Sequence, residues 1–302
     1  METSTIAGIE VSRLGLGTSR MASLGSGRSR RDAARLLDTA ADLGITFVDT
    51  ADTYGSTATE RWLGEVMQGR QDRFAVATKC GLARADLPGP LRPLDQPAKK
   101  ILQRVGQQHH LEAGHVRRSI DASLKRLRRE RIEIYFLHSP PRGIEQRDDL
   151  FEVLNEARSA GKIGEFGISS RDLGVISEVA RVRRCKVAQT AVNPLTTDAL
   201  RSFLKSADET RTVELIGNRV FIGAVVLSKA APKGSSLAVA DLQRRLDSLS
   251  AERGLSKAHL LLRHAAAVPH VRVVLTGTGN PVHLMDNAAA LATPPKPEDL
   301  LT

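Results

Sequence analysis

Residues 47–55 read FVDTADTYG. Phe47 and Val48 suit a buried strand, Asp49 stands where that strand would end, and Tyr54 follows in the polar segment beyond. Upstream, Ala33, Leu36, Leu37, Ala40 and Leu43 recur at helical spacing from Arg31 to Leu43, and Gly44 is placed to cap that helix. Downstream, ATERWLGEVM (58–67) predicts another helix and RFAVATK (73–79) another strand. The stretch thus lies inside a helix–strand–helix–strand succession, and the alternation continues outward.

Toward the N-terminus, TIAGIEVS (5–12) predicts a short hairpin turning near Gly8. LGLGT (14–18) predicts a strand whose glycines allow close backbone approach. Toward the C-terminus, strands are predicted at RIEIYFLH (131–138), KIGEFGIS (162–169), KVAQT (186–190), VFIGAVV (220–226) and VRVVLTG (271–277). Helical sequence separates them: Val116 to Leu127, Leu150 to Ala157, Leu173 to Val182, near 198–206, 238–252 and 256–267. The last of these is capped by Ser256, and a final helix runs from Pro281 to about Leu291. Eight short apolar strands with helices between them call for a parallel sheet covered by helices. Eight units in about 300 residues fit an α/β fold of (β/α)8 TIM-barrel type, one domain over 1–302. An open doubly wound sheet is the alternative, but Gly15 and Gly17 do not make the GxGxxG fingerprint and no GxxxxGK[ST] loop occurs. Two stretches, 84–111 (with Pro88, Pro90, Pro93 and Pro97) and 195–219, read as long loop regions, and 292–302 as a short proline-rich tail.

Composition narrows the function classes. Lys and Arg exceed Asp and Glu by 44 to 34, a net +10, yet aromatic residues are only 3% of the chain. Nucleic-acid binding by stacking wants aromatics among the basic residues, so no specific nucleic acid is expected. The run from Lys125 to Arg131 reads as a solvated helix face, and a basic balance also steers an anionic cofactor or substrate. Two cysteines, Cys80 and Cys185, make neither a disulfide framework nor a metal-ligand pattern. His109, His110 and His115 match no known ligand spacing, so no metal is expected. No apolar run approaches the roughly 18 residues of a membrane span and no signal peptide is evident, which predicts a cytoplasmic protein without a membrane partner.

In such a barrel the chemistry sits at the C-terminal ends of the strands. Those ends carry Asp49, Lys79 and His138, with Tyr54 just after the first. Singly, each has a plain structural reading: a cap for Asp49, a packed aromatic for Tyr54, a snorkelling lysine, a core histidine. Together on three successive strand ends they suggest a tuned proton donor. A phenol has a pKa near 10; the Lys79 ammonium favours the phenolate and lowers it. Asp49 would hold the lysine and His138 would orient a carbonyl oxygen.

FVDTADTYG, VATKCG, YFLHSP, GKIGEFGISS and VLTGTGNPVHLMDN, in that order over nearly the whole chain, resemble the aldo-keto reductase family. The resemblance implies a (β/α)8 barrel reducing an aldehyde or ketone with NADPH, NADH not being excluded, and Asp49, Tyr54, Lys79 and His138 as the catalytic tetrad. It implies cofactor contacts at Gly17, Thr18 and Ser19 and again at Asp49. Ser169, Ser170 and Gln189 match positions at the carboxamide, although the family usually has Asn at Ser170. Around 220–226 the family often places an aromatic residue against the nicotinamide; here Gly223 and Ala224 stand near that place. Gly277, Thr278, Gly279 and Asn280 open the last helix, where backbone N–H groups suit a phosphate. Asn287 matches an adenine contact, and the basic pair many members use for the 2′-phosphate falls on Gly277 and His283. Some barrels of this family act mainly as cofactor-binding regulatory subunits, which is the alternative function. The short tail suggests an open pocket for a bulky or anionic substrate.

Overall fold

A computed structural model of the protein describes residues 1–22, 27–83, 109–206, 213–222 and 237–301. The chain opens with an antiparallel hairpin, β1 (Thr3–Ile6) and β2 (Ile9–Ser12). Ala7 and Gly8 turn it at φ of 51° and 73°, the pair of positive values a tight hairpin turn requires. Eight parallel strands then close a barrel in chain order: β3 (Leu14–Gly17), β4 (Phe47–Asp49), β5 (Ala75–Cys80), β6 (Ile132–His138), β7 (Ile163–Ser169), β8 (Val187–Ala191), β9 (Glu214–Asn218) and β10 (Val271–Thr276), with β10 pairing back to β3.

Helices cover the outside. They are α1 (Arg30–Asp42), α2 (Ala58–Val66), α3 (Ala113–Leu127), α4 (Asp148–Ser159), α5 (Leu173–Arg183), α6 (Thr197–Ser206), α7 (Leu237–Arg253), α8 (Lys257–Ala267) and α9 (Pro281–Ala290). Polar side chains start several of them. Ser29 and Asp32 form a capping box on α1, Ser256 caps α8 through the His259 N–H, and Asn280 caps α9.

The core has two compartments. Leu36, Leu37, Leu63, Val116, Ile120, Leu154 and Leu260 belong to the layer between helices and sheet. Inside the barrel lie Phe47, Ala77, Ile134, Phe136, Val187, Ile216, Val273 and Leu275, with Ile6 and Val11 of the hairpin joining them as a plug. Large and small residues are matched across neighbouring strands. Gly15 pairs with Phe47 and Gly167 with Phe136. A Cβ on Gly167 would lie 2.5 Å from the Phe136 ring and 2.6 Å from the Val187 carbonyl, so each phenyl ring fills the space that glycine leaves.

One strand lies elsewhere than the sequence suggests. The seventh barrel strand is Glu214–Asn218, not 220–226; Val220 to Ile222 form a turn, and 223–226 lie outside the described residues. The segment 214–218 pairs with β8 on one side and β10 on the other. Satisfied backbone groups on both edges, rather than the longer apolar run, select the strand. The expected loop region 195–219 accordingly holds α6 and β9. The expected loop 84–111 falls on undescribed residues except at its ends, where Leu82 bridges His109.

Part of the basic run is answered by carboxylates. On α3, Arg117 pairs with Glu156 of α4, and Arg126 with the fully buried Glu60 of α2; Arg129, just beyond, pairs with Glu133. No helix among the described residues is long and apolar enough to cross a membrane.

Candidate active site

Parallel strands bring their C-terminal ends to one rim, so Asp49, Lys79, His138, Ser169 and Gln189 meet there. The Lys79 ammonium and the Asp49 carboxylate are 1% and 4% exposed. Lys79 Nζ donates to Asp49 Oδ1 at 2.6 Å and to the Thr50 carbonyl at 2.7 Å. Gln189 Nε2 donates to the same Oδ1 at 2.7 Å, and Gln189 Oε1 accepts from Ser169 Oγ at 2.8 Å. Thr18 holds the strand end from below, its N–H and its hydroxyl both donating to the Asp49 carbonyl. The cap reading of Asp49 therefore gives way to an anchored counter-ion. Lys79 does not snorkel, because its head group is spent inside.

Tyr54 reaches this cluster from the loop after β4. The three residues behind it, Gly55, Ser56 and Thr57, have φ of 56°, 50° and 72°. A Cβ on Gly55 would sit 2.6 Å from the Ala22 carbonyl, so only glycine lets the loop approach there. Lys79 Nζ lies 5.2 Å from the centre of the Tyr54 ring. The His138 ring meets it edge-on with centroids 6.5 Å apart. Ser139, next to His138, is itself left-handed at φ 50°, and its carbonyl contacts the His109 ring nitrogen at 2.7 Å. Left-handed non-glycine residues cost of order 1 kcal/mol each and gather at functional sites.

The electrostatics differ from the sequence expectation in sign. Burial holds the Tyr54 phenol above its ordinary value; Lys79 pulls it down and Asp49 pushes it up, and desolvation wins. The phenol is therefore protonated throughout the neutral range. Burial pulls Lys79 down, but Asp49 and Tyr54 more than offset it, so the ammonium is held charged above its usual value.

These side chains face a cavity of about 950 Å³, at the upper end of ligand sites. Gly17, Ser19, Asp49, Tyr54, His138, Ser169, Ser170, Gln189 and Gly277 line it. The other expected cofactor positions are not among the lining residues. Thr18 is buried and turned toward Asp49. Thr278 Oγ1 accepts from the Asn280 N–H, and the Asn280 side chain accepts from Val282 at the start of α9. His283 is exposed and Asn287 is buried on that helix. None of residues 291–301 lines the cavity.

The lining suits a nicotinamide nucleotide. A side chain at Gly277 would have nothing closer than Ser19 Oγ at 3.8 Å, leaving an open floor beside Gly17. Asn218 Oδ1 is buried at the cavity without a hydrogen-bond partner among the described residues, and Ser169 and Gln189 present an amide-and-hydroxyl pair. Such groups match a flat ring bearing a carboxamide. Among the described residues no cluster of His, Cys, Asp or Glu could hold a metal ion.

Sequence reasoning placed Gln189 at the site but missed its bond to Asp49, and it missed three arginines. The Gln189–Asp49 bond spans 140 positions and leaves no local signal. Arg142, clamped by Asp172, also lines the cavity. Arg219, at φ 53°, follows β9 and was hidden by the misplaced strand. Arg28 lies against Gly279 so closely that a Cβ there would fall 0.5 Å from its Nη1.

A closed parallel barrel brings Asp49, Lys79 and His138 to its C-terminal rim, with Tyr54 beside them. The chain belongs to the aldo/keto reductase family, whose family model matches residues 13–301. It is 31% identical over 207 residues to a 6-dehydroglucose reductase of Novosphingobium aromaticivorans, covering 65% of this chain and 60% of that protein. It is 27% identical to a D-threo-aldose 1-dehydrogenase of a Pseudomonas species over 95% of this chain and 92% of that one. The match to aldo-keto reductase YhdN of Bacillus subtilis, at 27% identity, spans 72% of this chain and 61% of the relative. In structure it resembles a holo-form aldo-keto reductase from Bacillus halodurans with a TM-score of 0.80 at 22% identity, covering 99% and 94% of the two chains, a likeness of fold.

Proposed function

We propose that this protein is an NAD(P)H-dependent oxidoreductase that reduces an aldehyde or ketone to an alcohol. The observation that carries the reading is the Tyr54 phenol, protonated at neutral pH, lining the cavity beside a charged Lys79 and His138. A bound nicotinamide supplies the hydride. Tyr54 donates the proton to the carbonyl oxygen, and the Lys79 ammonium stabilises the phenolate that this leaves. Asp49, fixed by Gln189 and Thr18, keeps Lys79 at that distance. His138, half-buried beside Tyr54, orients the oxygen. Ser169 and Gln189 would hold the carboxamide, with Gly17, Ser19 and Gly277 making room for the nucleotide.

NADPH is the cofactor favoured here. Gly277 and His283 stand where relatives carry basic residues, and Arg28, seated against Gly279 at the start of α9, supplies a cation from another loop. Arg28→Ala is expected to raise KM for NADPH more than for NADH; an equal change would remove Arg28 from that role.

The purified protein should oxidise NADPH in the presence of 4-nitrobenzaldehyde, and Tyr54→Phe should abolish that activity. Cofactor binding without turnover across a broad carbonyl panel would favour a regulatory role instead.

A further inference from the structure

The cavity is unevenly charged. Among the described residues two carboxylates line it, and both are occupied: Asp49 by Lys79, and Asp172 by a bidentate contact from Arg142 at 2.8 and 3.2 Å. Arg20, Arg171 and Arg219 line it as well, and no side-chain partner holds their guanidinium groups among the described residues. Arg20, Arg171 and Arg219 are all exposed to solvent, and a cleft with surplus positive charge draws anions.

Barrel order divides the three. Arg20 follows β3 and Arg219 follows β9, the two strands that flank β10, so both stand beside Gly277 and the start of α9. A dinucleotide's diphosphate belongs on that side. Arg171 follows β7, across the barrel from β3. It is two residues past Ser169, which pairs in register with His138. It therefore lies on the side where the carbonyl oxygen is held, away from the phosphate end. Its neighbour Arg142 is already neutralised by Asp172, which leaves Arg171 as the unanswered charge at that corner.

We propose that the carbonyl substrate carries a terminal oxyanion, a carboxylate or a phosphate, and that Arg171 receives it while Arg20 and Arg219 serve the cofactor. This rests on the reductase reading above. A guanidinium takes either oxyanion through paired N–H donors. Arg142, held in place by Asp172, and Pro140 and Pro141 form the wall beside it.

The test compares 4-carboxybenzaldehyde and 4-formylphenyl phosphate with the uncharged methyl 4-formylbenzoate. At least one charged aldehyde is expected to exceed the ester in kcat/KM by about tenfold, the worth of one charge-assisted hydrogen bond. Whichever charged aldehyde shows the larger ratio identifies the anion. Arg171→Met should bring that ratio close to one, and Arg171→Lys should keep part of it. No preference in the wild type, or a preference that survives Arg171→Met, overturns the proposal.

Calorimetric titration of the NADP⁺-loaded protein with 4-(hydroxymethyl)benzoate and 4-(hydroxymethyl)phenyl phosphate separates the two failures. Binding of either that weakens about tenfold in Arg171→Met, with no aldehyde turned over, keeps the oxyanion seat and rejects the reductase. Turnover of the ester, with neither alcohol's binding nor the kcat/KM ratio sensitive to Arg171, does the reverse.

Discussion

Gln189 Nε2 and Lys79 Nζ donate to one and the same oxygen, Asp49 Oδ1, at 2.7 and 2.6 Å. The residue expected to grip the nicotinamide amide thus also steadies the counter-ion of the lysine beside Tyr54, the proposed proton donor. The proposed cofactor seat and the proposed acid are coupled through one carboxylate. Gln189→Leu is expected to lower kcat/KM by tenfold or more, since a hydrogen bond to a charged group contributes about 1.5–3 kcal/mol. If the amide served the cofactor alone, saturating cofactor would restore kcat. Steady-state kinetics at saturating NADPH decide between the two.

Tyr54 gives a pH signature. Its pKa is raised by burial, so the acid form is complete below the usual phenol value of about 10 and is lost only above it. Carbonyl reduction should stay level through neutral pH as far as Tyr54 is concerned and decline at alkaline pH. Alcohol oxidation needs the phenolate and should climb with pH instead. A reduction profile that breaks well below the ordinary phenol range would mean that the lysine, not burial, dominates.

His264 predicts an acid weakness remote from the site. It is fully buried, its Nδ1 accepts the Leu301 N–H at 2.9 Å, and its Nε2 contacts Thr197 Oγ1 at 2.9 Å. Thr197 Oγ1 in turn donates to the Asn193 carbonyl. Only the neutral ring with hydrogen on Nε2 satisfies this chain. Burial pulls its pKa from 6.5 down to about 4. Its contribution is therefore complete above pH 6.5 and is lost as pH falls toward 4, on the order of 3 kcal/mol in all. Thermal melts between pH 7 and 4 should show this decline, and His264→Gln should flatten it.

Gly167 is a packing prediction. A methyl group there would meet the Phe136 ring at 2.5 Å and the Val187 carbonyl at 2.6 Å. Neither can move freely inside a filled barrel, so Gly167→Ala should destabilise the fold by about 1–3 kcal/mol. Pairing it with Phe136→Leu should recover part of the loss. Denaturant midpoints of the two variants would reveal whether ring and methyl compete for one space.

The barrel was legible because each strand–helix unit carries its own period, apolar triplets for strands and three-to-four spacing for helices. It failed at one place. VFIGAVV is the more apolar run, yet ELIGN is the strand, since a parallel strand is chosen by what pairs on both its edges. The same limit applies to the site. Asp49, Lys79 and His138 could be placed because strand ends in a parallel barrel share a rim. Gln189 on Asp49, Arg28 on Gly279 and Asp172 on Arg142 could not, since none is a local relation.

By itself, then, the sequence determined the succession of elements, the rim on which chemistry would sit and the residue types offered there. Those follow from local periodicity and from the direction of parallel strands. Tertiary structure alone decided the balance at FVDTADTYG. Burial outweighs Lys79 at Tyr54, and Asp49 serves a lysine and a glutamine together. It also decided which arginines stay unanswered in the cavity. Desolvation and long-range pairing depend on what the closed barrel brings near, and no window of sequence contains that.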